Sequence, residues 1–275
     1  MSRLTDKIAI VTGATTVEPG GLNIGGATAT EFVAEGARVV LADINIDGAN
    51  ALADQLNDKY GPDVAIAVHT DLRSEDAIRD LVATTVSTFG GLNLLMNIAG
   101  VFPPGDGELA TMPVEVWDDV MAVNLRSAML TTKHALPYLR QGGGSIVNTA
   151  STHAFAGDTS LTGYGCTKAA LLALTAYTAT QYGREGVRCN VICPGTTRTP
   201  PAQQLPEAIT DVYRRHTMAP DLNSPVDLAK VYVFLASDDS RGINGETIRV
   251  DGGLLAHQPF VPDMVAMGAA TSTSQ

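Results

Sequence analysis

The chain has 275 residues, of which 45% are hydrophobic and 17% charged, with a formal net charge of −11. That is enough apolar material for one large domain over 1–275 and too little for two, and the acidity argues against nucleic acid or an anionic membrane surface as a partner. No apolar run approaches the roughly 20 residues of a membrane span, and "MSRLTDKIAIVTG" enters a strand with no leader-like apolar region, so a cytoplasmic protein is expected.

Seven short apolar runs punctuate the chain: "KIAIVTG" (7–13), "ARVVLAD" (37–43), "VAIAVHTD" (64–71), "LNLLMNIAG" (92–100), "GSIVNTAS" (144–151), "VRCNVICPG" (187–195) and "GETIRVDGG" (245–253). They are β-branched and apolar on both faces, as strands of a parallel sheet covered by helices should be. Between them lie helical patterns such as 26–36 and 74–90, the latter with Ser74 as N-cap and Glu75 and Asp76 in its first turn. This alternation predicts a doubly wound, Rossmann-type α/β fold of about seven parallel strands with helices on both faces.

A glycine-rich turn follows the first strand, but its spacing is unusual. Gly13 is separated from Gly20 and Gly21 by Ala-Thr-Thr-Val-Glu-Pro, and the helix is expected to start near Ile24. Such a turn aims backbone N–H groups and a helix N-terminus at phosphate. Gly20 and Gly21 supply backbone freedom, and Asn23 can adopt a positive φ more easily than most residues. Asp43 closes the second strand, where a carboxylate accepts hydrogen bonds from ribose hydroxyls and repels a 2′-phosphate. No Lys or Arg follows it closely or lies in 13–25. The local charge favours NAD over NADP.

Tyr164 and Lys168 are four residues apart on one helical face, and Ser151 lies thirteen residues before Tyr164, just after a strand. A tyrosine titrates near 10, too high for neutral-pH acid–base work, and a neighbouring cation is expected to lower it. The Ser151 hydroxyl is placed to hold a carbonyl or alcohol oxygen against the phenol. The three cysteines, Cys166, Cys189 and Cys193, lack metal-ligand spacing. They read as reduced thiols, each filling a small buried space. No metal site is expected.

In order, Thr12-Gly13, Asp43, Asp71-Leu72, "NIAG" (97–100), Asn124, Ser151, Tyr164, Lys168, Pro194-Gly195 with Thr199, and "VDGG" (250–253) resemble the short-chain dehydrogenase/reductase family over residues 4 to 253. The resemblance implies hydride transfer between a nicotinamide cofactor and an alcohol or ketone. It makes Tyr164 the acid/base and gives Lys168 the nicotinamide ribose. Ser151 orients the substrate oxygen, and Asn124 holds a water that links Lys168 to solvent. Gly13, Asn23 and Ile24 would face the pyrophosphate. Asp71 and Leu72 would flank the adenine, with Asn97, Ala99 and Gly100 beside the adenosine ribose. Pro194, Gly195, Thr197 and Thr199 would grip the carboxamide. The resemblance further makes 196–220 a lid over the substrate, 254–275 a C-terminal extension, and Ala169 to Tyr177 with 118–139 the contacts of a homotetramer or homodimer, with core packing as the competing explanation for these two segments.

Two positions depart from the family pattern. Ile98 replaces the second Asn of "NNAG", with a structural consequence expected. About four residues are inserted after Gly13, as in the divergent enoyl-thioester reductases, which however space Tyr and Lys seven apart. The expectation is therefore an NAD-dependent secondary-alcohol dehydrogenase or ketone reductase. Phe102, His153 and Phe155 are the candidate substrate contacts and suggest a cyclic or aromatic, mostly apolar substrate, with His153 either bonding a polar group or lining the wall. The alternatives are an NADPH-dependent 3-oxoacyl reductase, an enoyl reductase, and a non-enzymatic nucleotide-binding scaffold. The end, "MVAMGAATSTSQ", reads as a fraying tail.

Overall fold

A computed structural model describes residues 2–17 and 21–268. The elements are β1 (Ile8–Thr12), β2 (Thr16–Val17), β3 (Gly21–Leu22), α1 (Ile24–Ala34), β4 (Arg38–Asp43), α2 (Ile46–Tyr60), β5 (Ala65–His69), α3 (Glu75–Phe89), β6 (Leu94–Asn97) and α4 (Val114–Met121). After a π-turn over Ala122–Arg126 come α5 (Ser127–Leu139), β7 (Gly144–Thr149), α6 (Thr162–Tyr182), β8 (Val187–Pro194), α7 (Glu207–Arg215), α8 (Pro225–Ala236), β9 (Thr247–Val250) and α9 (Val261–Ala266). Seven strands form one parallel sheet in the order β5-β4-β1-β6-β7-β8-β9. All seven expected strands are present.

Strand alternation divides the core into two layers. Ala9, Val11, Val39 and Leu41 face α1, α2 and α8, where they meet Phe32, Leu52, Leu228 and Tyr232. Ile8, Ile10, Val40 and Ala42 face the other way, toward Leu81, Ala135 and Leu139 of α3 and α5. Because both faces are covered, every residue of β1 is buried, which is why its sequence is continuously apolar. The strand order reverses between β1 and β6, and this switch point opens a crevice at the carboxyl ends of the strands.

The insertion after Gly13 is not a slack turn. Thr16 and Val17 pair antiparallel with Leu22 and Gly21, forming a small ladder that returns the chain to α1. Gly20 lies outside the described residues. Asn23 does not take a positive φ: it is extended, with φ −75°, and its side chain accepts a hydrogen bond from the Gly26 N–H to cap α1. Its amide also donates to the Gly13 carbonyl at 2.8 Å. Helix and strand approach so closely here that a Cβ on Gly25 would lie 2.2 Å from the Gly13 oxygen. At the other end, α9 occupies Val261–Ala266, so part of the expected tail is helical. The rest of that tail, 269–275, lies outside the described residues.

This contact generates a prediction. Gly25→Ala forces the helix away from the first turn and is expected to lower the unfolding free energy by roughly 1–3 kcal/mol. Urea denaturation measures it, and a wild-type midpoint would mean that the loop and helix separate without cost.

Candidate active site

A cleft of about 570 Å³ lies at the carboxyl ends of β1, β4 and β6. Gly13, Asn23, Ile24 and Gly25 line it, so the amino end of α1 opens on it, as an anion-binding helix end does. Gly13 has φ +69°, and a Cβ there would meet the Ala99 Cα at 2.8 Å. Only glycine fits, and the backbone is bare where a pyrophosphate would approach.

Asp43, Asp71, Leu72, Ala99 and Gly100 also line the cleft. Desolvation pushes the half-buried Asp43 carboxyl above its usual range, against the pull of the Asn45 and Ile44 N–H groups. The Asn45 N–H bond is 2.8 Å. A cation that is distant in sequence also reaches this end of the cleft. Arg73 is held by Asp119 through two bonds of 2.6 and 3.0 Å, and contacts Asp71 at 3.3 Å. Its charge is thus shared by two carboxylates, and Asp43 brings the local carboxylates to three.

Asn97 is not on the cleft. It is 7% exposed, its amide donates to Asn148 at 2.9 Å, and its carbonyl oxygen accepts from Thr131 at 2.7 Å. It fastens β6 to β7 and α5. Ile98 instead combines core packing with a cleft wall.

Lys168, on α6, is 3% exposed, and its ammonium donates to the Thr149 carbonyl at the end of β7 at 2.7 Å. Its Nζ stands 5.2 Å from the centre of the Tyr164 ring. The phenol is flanked edge-on by Phe102, with ring centres 6.0 Å apart, and by His153, at 5.5 Å. The expectation that the lysine lowers the tyrosine does not hold. Desolvation dominates and raises Tyr164, although Ser151 beside it works the other way. The same burial pushes Lys168 down to about 8. Burial penalises each ionised form.

The amino end of α6 explains how Tyr164 is placed. Leu161 occupies the cap position with φ 59° and offers no capping side chain. Asp106, 2% exposed in the loop after β6, takes over: its oxygens accept from the Gly163 and Tyr164 N–H groups at 2.7 and 2.8 Å. The sequence reading missed Asp106, because nothing local pairs it with a helix 57 residues away.

Asn124 sits in the π-turn, and its amide is engaged with the backbone of Val101 in both directions, at 2.7 and 2.8 Å. The side chain clamps the loop after β6. π-turns of this kind frequently mark functional sites. Ser151 Oγ lies 3.2 Å from His153 Nδ1. A second cavity of about 280 Å³ lies beyond it, walled by Thr152, His153, Asp158, Thr196, Tyr213, His216, Leu254 and Leu255.

Pro194 ends β8, Gly195 donates to the Val250 carbonyl, and the Thr197 hydroxyl donates to the Gly195 carbonyl. None of these three borders the cleft, whereas Thr199 does, with Pro201, Ala202 and Leu205 from the expected lid. Phe102 lines the cleft, while Phe155 is exposed and borders neither cavity. Cys189 and Cys193 are buried, with thiols pushed up to about 12 and about 11 by desolvation. Cys166 is exposed, not the buried filler expected. Among the described residues no His/Cys/Asp/Glu group could hold a metal, and no helix is long and apolar enough to cross a membrane.

The chain matches a family model described as enoyl-(acyl carrier protein) reductase over residues 20–255. It is 38% identical to a Bradyrhizobium diazoefficiens protein described as a short-chain type dehydrogenase/reductase, over 96% of this chain and 92% of that one. It is 36% identical to a 7alpha-hydroxysteroid dehydrogenase of Bacteroides fragilis, over 95% and 99%. A crystal structure described as a short-chain dehydrogenase/reductase from Burkholderia xenovorans superposes with a TM-score of 0.87 at 30% identity, over 94% of this chain and all of that one.

The buried ammonium has a signature in stability. With Lys168 at about 8 when folded and an ordinary lysine near 10.4 when unfolded, the unfolded chain binds more protons between these values. The contribution of Lys168 to stability therefore rises with pH across that window. Lys168→Met removes the titration, so the stability difference between the two proteins is expected to change by a few kcal/mol from pH 8 to 10.5. Chemical denaturation at intervals of pH measures it, and parallel curves would mean that the ammonium is well solvated.

Proposed function

The chain belongs to the short-chain dehydrogenase/reductase family, a family of oxidoreductases that use nicotinamide cofactors, and from that premise we propose an NAD-dependent secondary-alcohol dehydrogenase or ketone reductase. The observation that carries this is the position of the Tyr164 ring between the two cavities: it lines neither, but packs edge-on against Phe102, which lines the cleft, and His153, which walls the second cavity. A cofactor in the first cavity and a substrate in the second would meet at the phenol.

The residues present fit such a cofactor. The glycine-only contact at Gly13 and the open end of α1 suit a pyrophosphate. Asp43 suits ribose hydroxyls and opposes an added 2′-phosphate, while the charge of Arg73 is shared by Asp71 and Asp119. When bound, the nicotinamide accepts or donates the hydride. The protein's own work is at the oxygen of the substrate. Ser151 orients it, Tyr164 takes or gives its proton, and Lys168 steadies the phenolate. Thr149 fixes the ammonium, Asp106 fixes the turn bearing the phenol, and Asn124 with Gly100 keeps room for the lysine tip.

Pro194, Gly195, Thr197 and Thr199 would hold the carboxamide end, with 196–220 closing over it. Phe102 and the aliphatic wall of Leu254 and Leu255 favour a cyclic or aromatic, mostly apolar substrate. The outward-facing Met129 and Tyr177, 41% and 69% exposed, favour a homotetramer built on α5 and α6. We place the protein in the cytoplasm. Enoyl reduction, which the matched model's description suggests, is disfavoured by the four-residue Tyr–Lys spacing and the intact Ser151.

The test is turnover. A panel of cyclohexanol, 1-phenylethanol and meso-2,3-butanediol with NAD, read by absorbance of the reduced cofactor, is expected to yield at least one substrate. Tyr164→Phe is expected to cut kcat by 100-fold or more while binding NADH normally. A variant as fast as wild type would remove Tyr164 from the chemistry.

A further inference from the structure

Arg73 is the one cation among the described residues that line the cleft. All three nitrogens of its guanidinium are bonded to carboxylates. Nε and Nη2 donate to the two oxygens of Asp119 at 2.6 and 3.0 Å, and Nη1 donates to Asp71 Oδ1 at 3.3 Å. Asp71 borders the cleft, whereas Asp119 lies on α4 and does not. We infer that Asp119 is a specificity-determining residue that acts through Arg73: by pinning the guanidinium, it withholds from the cleft the charge that a 2′-phosphate would need. The inference rests on the NAD reading above and adds a second determinant to Asp43.

The sheet roots Arg73 beside the place given to the ribose. β4 and β5 are neighbours, and Asp43 stands opposite His69 in their register. The Thr70 N–H donates to the Asp43 carbonyl at 3.0 Å. Arg73 follows three residues later, and three residues span at most about 11 Å when fully extended. Here the chain turns back on itself, because the Arg73 and Ser74 N–H groups both donate to Asp71, at 3.0 Å each. A long cationic side chain therefore starts next to the carboxylate that would meet the ribose hydroxyls. Left unpaired, its fork of donors would suit a phosphate and offset the repulsion from Asp43.

The restraint on that fork comes from α4 and the π-turn after it. A two-point arginine–carboxylate pair fixes the plane of the guanidinium as well as its charge. The bond to Arg73 holds the Asp119 carboxyl below its usual range, so it is ionised at neutral pH. Arg126, in the π-turn, donates to the Arg73 carbonyl at 3.4 Å and ties down the main chain as well. The Arg73 and Asp119 side chains are 41% and 37% exposed, so the pair adds little to stability. What it sets is where the cation points.

A different role for the same bonds is a strap between the loop after β5 and α4. The two roles part in their effect on binding. A strap acts on both forms of the cofactor alike, whereas a pinned cation acts on the form that carries the extra phosphate.

The experiment titrates the full chain, as wild type, Asp119→Asn, Arg73→Gln and the double variant, with NADH and with NADPH, followed by nicotinamide fluorescence. Asp119→Asn is expected to bind NADPH about fivefold more tightly than wild type and to lower the ratio of the NADPH Kd to the NADH Kd accordingly. That gain is expected to shrink at about 0.5 M salt, because the contact is partly exposed. The double variant is expected to return to the wild-type ratio, since the gain requires Arg73. Should Asp119→Asn not fold, Asp119→Ser carries the same expectation.

An unchanged ratio in Asp119→Asn, or a ratio that falls equally with and without Arg73, would overturn the inference and leave the NAD reading standing. Equal weakening of both cofactors would also overturn it, by making the pair a strap. If the wild-type chain prefers NADPH or binds neither cofactor, the NAD reading fails and this inference with it.

Discussion

A lysine ammonium 3% exposed to solvent is the costliest object in this fold, and the site is arranged around it. Burial of a cation disfavours its charged form by several kcal/mol unless partners are supplied. Lys168 has one fixed acceptor, the Thr149 carbonyl at the end of β7, and it titrates at about 8. Gly100 gives it room, since a Cβ there would stand 3.3 Å from Nζ. Asn124 holds the loop that carries Gly100 by bonding both backbone groups of Val101.

The same economy of parts governs the two ends of α6 and α1. Each helix begins where chemistry is needed, and each is capped from elsewhere or by an unusual residue. Asp106 reaches from the loop after β6 to the turn that carries Tyr164. Asn23 caps α1 and ties it to Gly13, which leaves the rest of that helix end facing the cleft. The inserted segment after Gly13 folds back as the β2–β3 ladder without displacing either contact. Extra length in the loop thus changes its outer path and preserves its inner wall.

Much of this was legible because it is local. The strands follow from short apolar runs, Asp43 from a carboxylate at a strand end, and the Tyr164–Lys168 pair from a four-residue spacing. Asn23 was misread for want of attention to a local rule: an Asn just before the first helical residue is an N-cap signal, and capping needs an extended φ. Asn97, Asp106 and Arg73 were not legible. Their partners, Asn148, Tyr164 and Asp119, lie 51, 58 and 46 residues away. Nothing in a residue's own neighbourhood announces a contact made only by the sheet. The direction of the Tyr164 shift was missed for a related reason, since sequence shows the nearby cation but not the depth of burial that outweighs it.

The central claim is that the cleft between α1 and Asp43 holds a nicotinamide dinucleotide without a 2′-phosphate. Titration of the protein with NADH and with NADPH, followed by nicotinamide fluorescence, tests it most directly. The account predicts saturable NADH binding and a Kd for NADPH at least tenfold weaker, a difference of about 1.4 kcal/mol. Equal or tighter binding of NADPH would contradict the role given to Asp43, and failure of both to bind would contradict the cofactor site itself.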